Sequence, residues 1–70
     1  MKANRFTISD INDSNKIRSI EQSIQSHEGI NAVRVDVQAS TVTVDYDEGR
    51  YNKGEIKDFI TQAGLSVIKV

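Results

Sequence analysis

The 70-residue sequence contains no cysteine, so neither disulfides nor thiolate metal ligands are available to it. It has a single histidine, His27, and only four aromatic residues, two Phe and two Tyr. No apolar run approaches the ~20 residues that span a bilayer, and residues 1–20 lack the apolar core of a signal peptide. Nine basic residues stand against ten acidic ones, a formal charge of −1. That balance does not steer a chain toward a phosphate backbone or an anionic membrane. These absences point to a small soluble domain, with the cytoplasm as the expected location and neither nucleic acid nor membrane as a partner.

A chain this short has room for one core only, and it buries about 60% of its unfolded surface. Net stability of a few kcal/mol is expected, so that single core truncations are dangerous. The start at Met1 suggests a free-standing protein, an excised domain being the alternative.

What is present is a clear alternation of patterns. Phe6 and Ile8 alternate with Arg5, Thr7 and Ser9, which predicts a half-buried strand over residues 3–8. The polar run of residues 10–15 offers helix caps, Asp13 or Asn12 foremost, because short oxygen-bearing side chains satisfy free N–H groups. Ile17, Ile20 and Ile24 follow at i, i+3, i+7, one face of a helix reaching about Ser26, with His27 in its last turn and Gly29 closing it. Val33, Val35 and Val37 alternate with Arg34, Asp36 and Gln38, a strand over residues 31–38. Val42, Val44 and Tyr46 alternate with Thr41, Thr43 and Asp45, a second strand. The two should form a hairpin around Ala39-Ser40. A two-residue turn usually needs Asn or Gly at positive φ, and neither is there, so a longer or different turn type is expected.

Asn52 and Glu55 have the spacing of a capping box. Ile56, Phe59, Ile60 and Ala63 then mark one helix face, with Gly64 placed just past its end. Residues 65–70 read as a last short strand. The order is βαββαβ, which with right-handed crossovers gives a ferredoxin-like α+β sandwich. Its four-stranded antiparallel sheet would have order 4-1-3-2 and carry both helices on one face.

Several stretches then resemble one family. They are residues 17–21 (Ile-Arg-Ser-Ile-Glu), 29–37 (Gly-Ile-Asn-Ala-Val-Arg-Val-Asp-Val), 41–47 (Thr-Val-Thr-Val-Asp-Tyr-Asp) and 60–65 (Ile-Thr-Gln-Ala-Gly-Leu). Together they resemble the framework of the heavy-metal-associated domain, the family of small copper and zinc chaperones and of P-type ATPase amino-terminal modules. The resemblance covers residues 6–67, so that the chain reads as one heavy-metal-associated-like domain over residues 1–70. The family's G-M-x-C-x-x-C motif falls on Asp10, Ile11, Asn12, Asp13, Ser14, Asn15 and Lys16. Ile11 keeps the apolar anchor, while Asp13 and Lys16 stand where the cysteines would be. Leu65 takes a place near the metal where family members often carry Tyr or Lys.

Thiolates select Cu(I) and Zn because they are soft and anionic, and an aspartate beside a lysine is neither soft nor net anionic. No metal cofactor is therefore expected at this loop. In the plainest reading Asp13 caps the helix and pairs with Lys16. An alternative is a weak divalent-cation site on oxygen ligands, Asp10, Asn12 and Asp13. Asp10, Asn12, Ser14, Ile17 and Glu21 even match EF-hand spacing, but Asn15 replaces the required Gly and residues 16–26 are needed as helix. The resemblance also implies a protein-docking end. Ile11, Asp13, Ser14, Asn15, Lys16 and Leu65 are its candidate contacts, toward another protein such as a metal-homeostasis protein or toward a second copy.

The remaining classes lack their chemistry. RNA recognition on this topology stacks bases on sheet aromatics, yet the open face should carry Arg5, Thr7, Arg34, Asp36, Gln38, Thr41, Thr43 and Asp45. Catalysis needs a nucleophile with a base, or converging carboxylates. Here there is no Cys, the one His lies at the far end of the first helix as a surface residue, and the first loop has no Arg for acyl-phosphate hydrolysis. A non-catalytic binding module is the expectation. The second strand would be a sheet edge, open to pairing with a peptide or a second copy.

Overall fold

A computed structural model describes residues 2–9 and 14–69 of the chain. Six elements follow one another: β1 (Lys2–Ile8), α1 (Ser14–Gln25), β2 (Ile30–Asp36), β3 (Thr41–Tyr46), α2 (Lys53–Gln62) and β4 (Val67–Lys69). The strands form one antiparallel sheet in the order β2-β3-β1-β4, the order the pattern predicts. The fold is the ferredoxin-like α+β sandwich.

The period-2 and period-3.6 stripes meet in one core. Phe6, Ile8, Val42, Val44 and Tyr46 from the sheet pack with Ile20 and Ile24 of α1 and Ile56 and Ile60 of α2, joined by Ile30 and Leu65. Burying each such side chain contributes roughly 1.5–3 kcal/mol, so this cluster accounts for most of what holds the layers together. Tyr46 is buried by its ring and keeps its hydroxyl satisfied, accepting a hydrogen bond from Asn4 Nδ2 at 2.6 Å. The opposite parity of the strands faces away from the helices. One row runs Arg34–Thr43–Arg5 across β2, β3 and β1, the next Ala32–Asp45–Ala3.

Local chemistry sets the joints. Asn52 caps α2 in the full capping box, accepting from Glu55 N–H at 2.8 Å while the Glu55 carboxylate accepts from Asn52 N–H at 3.0 Å. At the other end Gly64 adopts φ +107°, Gly64 N–H donates to Thr61 O at 3.1 Å and Leu65 N–H to Ile60 O at 3.3 Å. Those two bonds are a Schellman motif, and only a residue free of Cβ strain takes that turn at no cost.

Two expectations are corrected here. The second strand ends at Asp36, and Val37 is not on its inner face: it lies in the turn and is 46% exposed. The hairpin turn therefore has four residues, 37–40, with Ser40 carrying the positive φ of +54° and the Asp36 carboxylate accepting from Ala39 N–H. A lengthened turn needs one left-handed residue, and a serine takes it. Secondly, His27 is not in the last turn of α1, which ends at Gln25, nor is it a free surface residue. Its ring stacks on Phe59 of α2 at 3.9 Å and 10°.

Candidate functional site

Three connections come together at one end of the sandwich. Where β1 runs out, Ile8 N–H donates to Ser40 O in the β2–β3 turn at 2.9 Å. One residue later Ser9 N–H donates to Ser66 O, in the connection between α2 and β4, also at 2.9 Å. The chain then enters residues 10–13, which lie outside the described residues, and re-emerges in α1. The loop that would carry the family's metal thus springs from a point tied by backbone hydrogen bonds to both neighbouring connections.

Asp10, Ile11, Asn12 and Asp13 fall outside the description, and with them the helix cap, the Asp13–Lys16 pair and the oxygen-ligand site. Ser14 and Asn15 are the first residues of α1, and Lys16 is exposed. Leu65 is not a surface anchor: at 9% exposure it belongs to the core, pulled in beneath the Schellman turn, where an apolar residue just past the glycine packs back on the helix end. Val37, which alternation alone assigns to the sheet interior, is an exposed apolar side chain in the turn at this end, and Ile68 of β4 is exposed as well. The EF-hand spacing dissolves as well. Ser14 through Glu21 is continuous helix, and seven residues of helix separate those two backbone positions by about 10 Å along the axis, too far for an EF-hand loop. Among the described residues, no three His, Asp or Glu side chains come together in a way that could hold a metal ion.

The opposite end is closed by contacts that periodicity did not reveal. Phe59 lies between His27, stacked on one side, and Tyr51, which meets it edge-on at 5.1 Å. The Tyr51 hydroxyl donates to Glu28 O, and Asp47 N–H donates to Gly29 O at 2.9 Å. A notch of about 450 Å³ opens beside it, lined by Lys2, Arg50, Lys53, Glu48 and Glu55 among others, with both signs of charge and no convergent set of one kind.

The profile of the heavy-metal-associated domain matches residues 5–65. The chain belongs to the heavy-metal-associated domain family. Heavy-metal-associated domains are typically non-catalytic binding modules, and this one carries no cysteine and hence no C-x-x-C pair. Solved structures agree on the fold. The CopZ metallochaperone superposes with a TM-score of 0.85 at 18% identity, covering 96% of this chain and 100% of the other. A copper binding domain from HMA7, a P-type ATPase, gives 0.87 at 17% identity, covering 100% and 95%. Apo-CopP from Helicobacter pylori gives 0.79 at 24% identity, covering 96% and 100%. A comparison with curated protein sequences gave no match. No described helix is long and apolar enough to cross a membrane.

Proposed function

We propose that this chain is a non-catalytic, cytoplasmic heavy-metal-associated module that works by contacting another protein with its loop end and carries no metal cofactor. One observation carries the reading: the family profile matches residues 5–65, yet the sequence has no cysteine anywhere. Without a thiolate the loop has no soft donor, and Cu(I) loses the ligand class that selects it. What the framework still supports is a shaped surface. The β1 end, the 37–40 turn and the α2–β4 connection are bound together, and Lys16 and Val37 are exposed. Copper chaperones and a P-type ATPase domain among the structural neighbours make a metal-homeostasis protein the first partner class to try.

The test is a ¹⁵N amide titration with Cu(I), Zn²⁺ and Ca²⁺ in turn, followed by candidate partner domains. The reading expects no saturable shift with any ion, and partner-induced shifts confined to residues 10–16, 37–40 and 64–66. Saturable shifts of residues 10–16 with a divalent cation would instead establish the oxygen-ligand site on Asp10, Asn12 and Asp13. Saturation by Cu(I) would overturn the argument from the missing thiolates.

A further inference from the structure

The open face of the sheet carries a pattern that fits a copy of itself. Its central row places Thr43 of β3 between Arg5 of β1 and Arg34 of β2. The adjacent row places Asp45 between Ala3 and Ala32. Arg5, Arg34, Ala3 and Ala32 are exposed and Asp45 is half-buried. Among the described residues the one ion pair is Arg50–Glu28, so neither arginine has a carboxylate partner among them. The two alanines leave a hollow of about 200 Å³ around Asp45, also lined by Arg34 and Thr43. One row therefore bears two long cations flanking a short side chain, and the next bears two short side chains flanking an anion.

Neighbouring rows lie about 6.7 Å apart along the strands, and neighbouring strands about 4.8 Å apart. A two-fold axis running across the strands, midway between the two rows, superposes each row of one copy on the other row of its mate. Asp45 then faces Thr43 of the second copy, with that copy's Arg5 and Arg34 on either side, while each arginine lies over an alanine. Sheets packed face to face sit ~10 Å apart, which leaves depth for an arginine lying over an alanine but not over a second arginine. The operation is isologous, so both carboxylates are gripped at once. An inorganic anion fits less well, because Asp36 and Asp45 repel it from both sides of the arginine row.

We infer that the open sheet face is a self-association surface, joining two copies through reciprocal Asp45–Arg5/Arg34 contacts. The two rows span only about 10 Å across three strands, so the contact is well short of the ~800 Å² per partner of stable complexes, and the dimer is weak. Because the axis reverses the strand direction, the two loop ends point opposite ways and stay free. The inference stands apart from the function proposed for that end.

The test is a charge exchange, read by sedimentation and by amide shifts of the 70-residue chain from about 10 μM to 1 mM, the range a contact this small requires. The unaltered chain is expected to dimerise toward the upper concentrations, with shifts centred on Ala3, Arg5, Ala32, Arg34, Thr43 and Asp45, and to weaken several-fold on adding salt. Asp45→Arg alone, and the Arg5→Asp/Arg34→Asp pair alone, should each raise the dissociation constant at least tenfold, since each sets like charges face to face. Mixing the two variants should restore association, because every contact is then again between opposite charges. A monomer throughout, with no association in the mixture, overturns the inference. So does a dimer whose shifts follow the β2 edge and ignore the charge exchange. All three sites are exposed or half-buried on strands, and the amide spectrum of each variant verifies its fold.

Discussion

The end of the sandwich built from Glu28–Gly29 and residues 47–52 and the end from which the first loop springs are made in different ways. At the former, residues from three segments lock together: His27, Phe59 and Tyr51 as rings, Gly29 beneath Arg50, Asn52 and Glu55 as a reciprocal cap. At the latter, the three connections are joined to one another by backbone hydrogen bonds from Ile8 and Ser9, and the residue-specific devices, the Asp36 carboxylate on Ala39 N–H and Gly64 at positive φ, each act within a single turn. The closed end therefore depends on particular side chains. The loop end depends more on the path of the chain, with Gly64 and Leu65 as its residue-specific points. That contrast is consistent with a family framework that persists in a chain without cysteine.

The widest gap between the ends should come from restoring the thiolates. Asp13→Cys with Lys16→Cys is expected to convert a chain with no saturable Cu(I) binding into one that binds a single equivalent in competition with a Cu(I) chelator, at little cost in stability. If the double variant stays silent, the loop end differs from the family in more than its two ligands. Phe59→Ala, by contrast, removes both ring contacts of the closed end. It should lower the unfolding free energy by about 2–4 kcal/mol in a urea titration, a large share of what a 70-residue domain has. A loss below about 1 kcal/mol would mean that the stack is incidental.

Gly29→Ala sharpens the same comparison through the backbone. Its φ of +95° disfavours any Cβ, and the added carbon would stand 2.7 Å from Arg50 Cδ and 3.0 Å from Tyr51 Cε2. A cost of roughly 1–3 kcal/mol is expected, most of it from the dihedral, since the Arg50–Glu28 pair is largely exposed and contributes little. The smallest effects test the two helix starts. Asn52→Ala should cost about 1 kcal/mol by opening the capping box, and Lys16→Ala at most about 0.5 kcal/mol. Thermal melts of the two, run side by side, would reverse the comparison if Lys16→Ala proved the more damaging.

Much of this architecture was legible because it rests on local rules. Ile20 and Ile24, Ile56 and Ile60, and Val42, Val44 and Tyr46 are buried as their spacing predicts, and Asn52–Glu55 forms the box its spacing suggests. Val37 was misplaced because strand alternation continues past the residue where pairing stops, and nothing local marks that stop. Leu65 was misplaced because its burial follows from the Schellman turn reaching back to Ile60, although the Ala63-Gly64-Leu65 string offered the signal. His27 was misread because its partner lies 32 residues away on the other helix, and no helix period links them.

By itself, the order of amino acids determined the six elements, the parity of the first and third strands and the absence of thiolate ligands. Each of these depends on backbone preference, on side-chain alternation or on which atoms exist at all. Only the tertiary structure decided which side chains meet across elements: the ring stack that closes one end, the burial of Leu65 at the other, and the rows of arginine and aspartate on the open face. Those depend on strand register and helix placement, which bring together residues that are distant in the chain and that no local period relates.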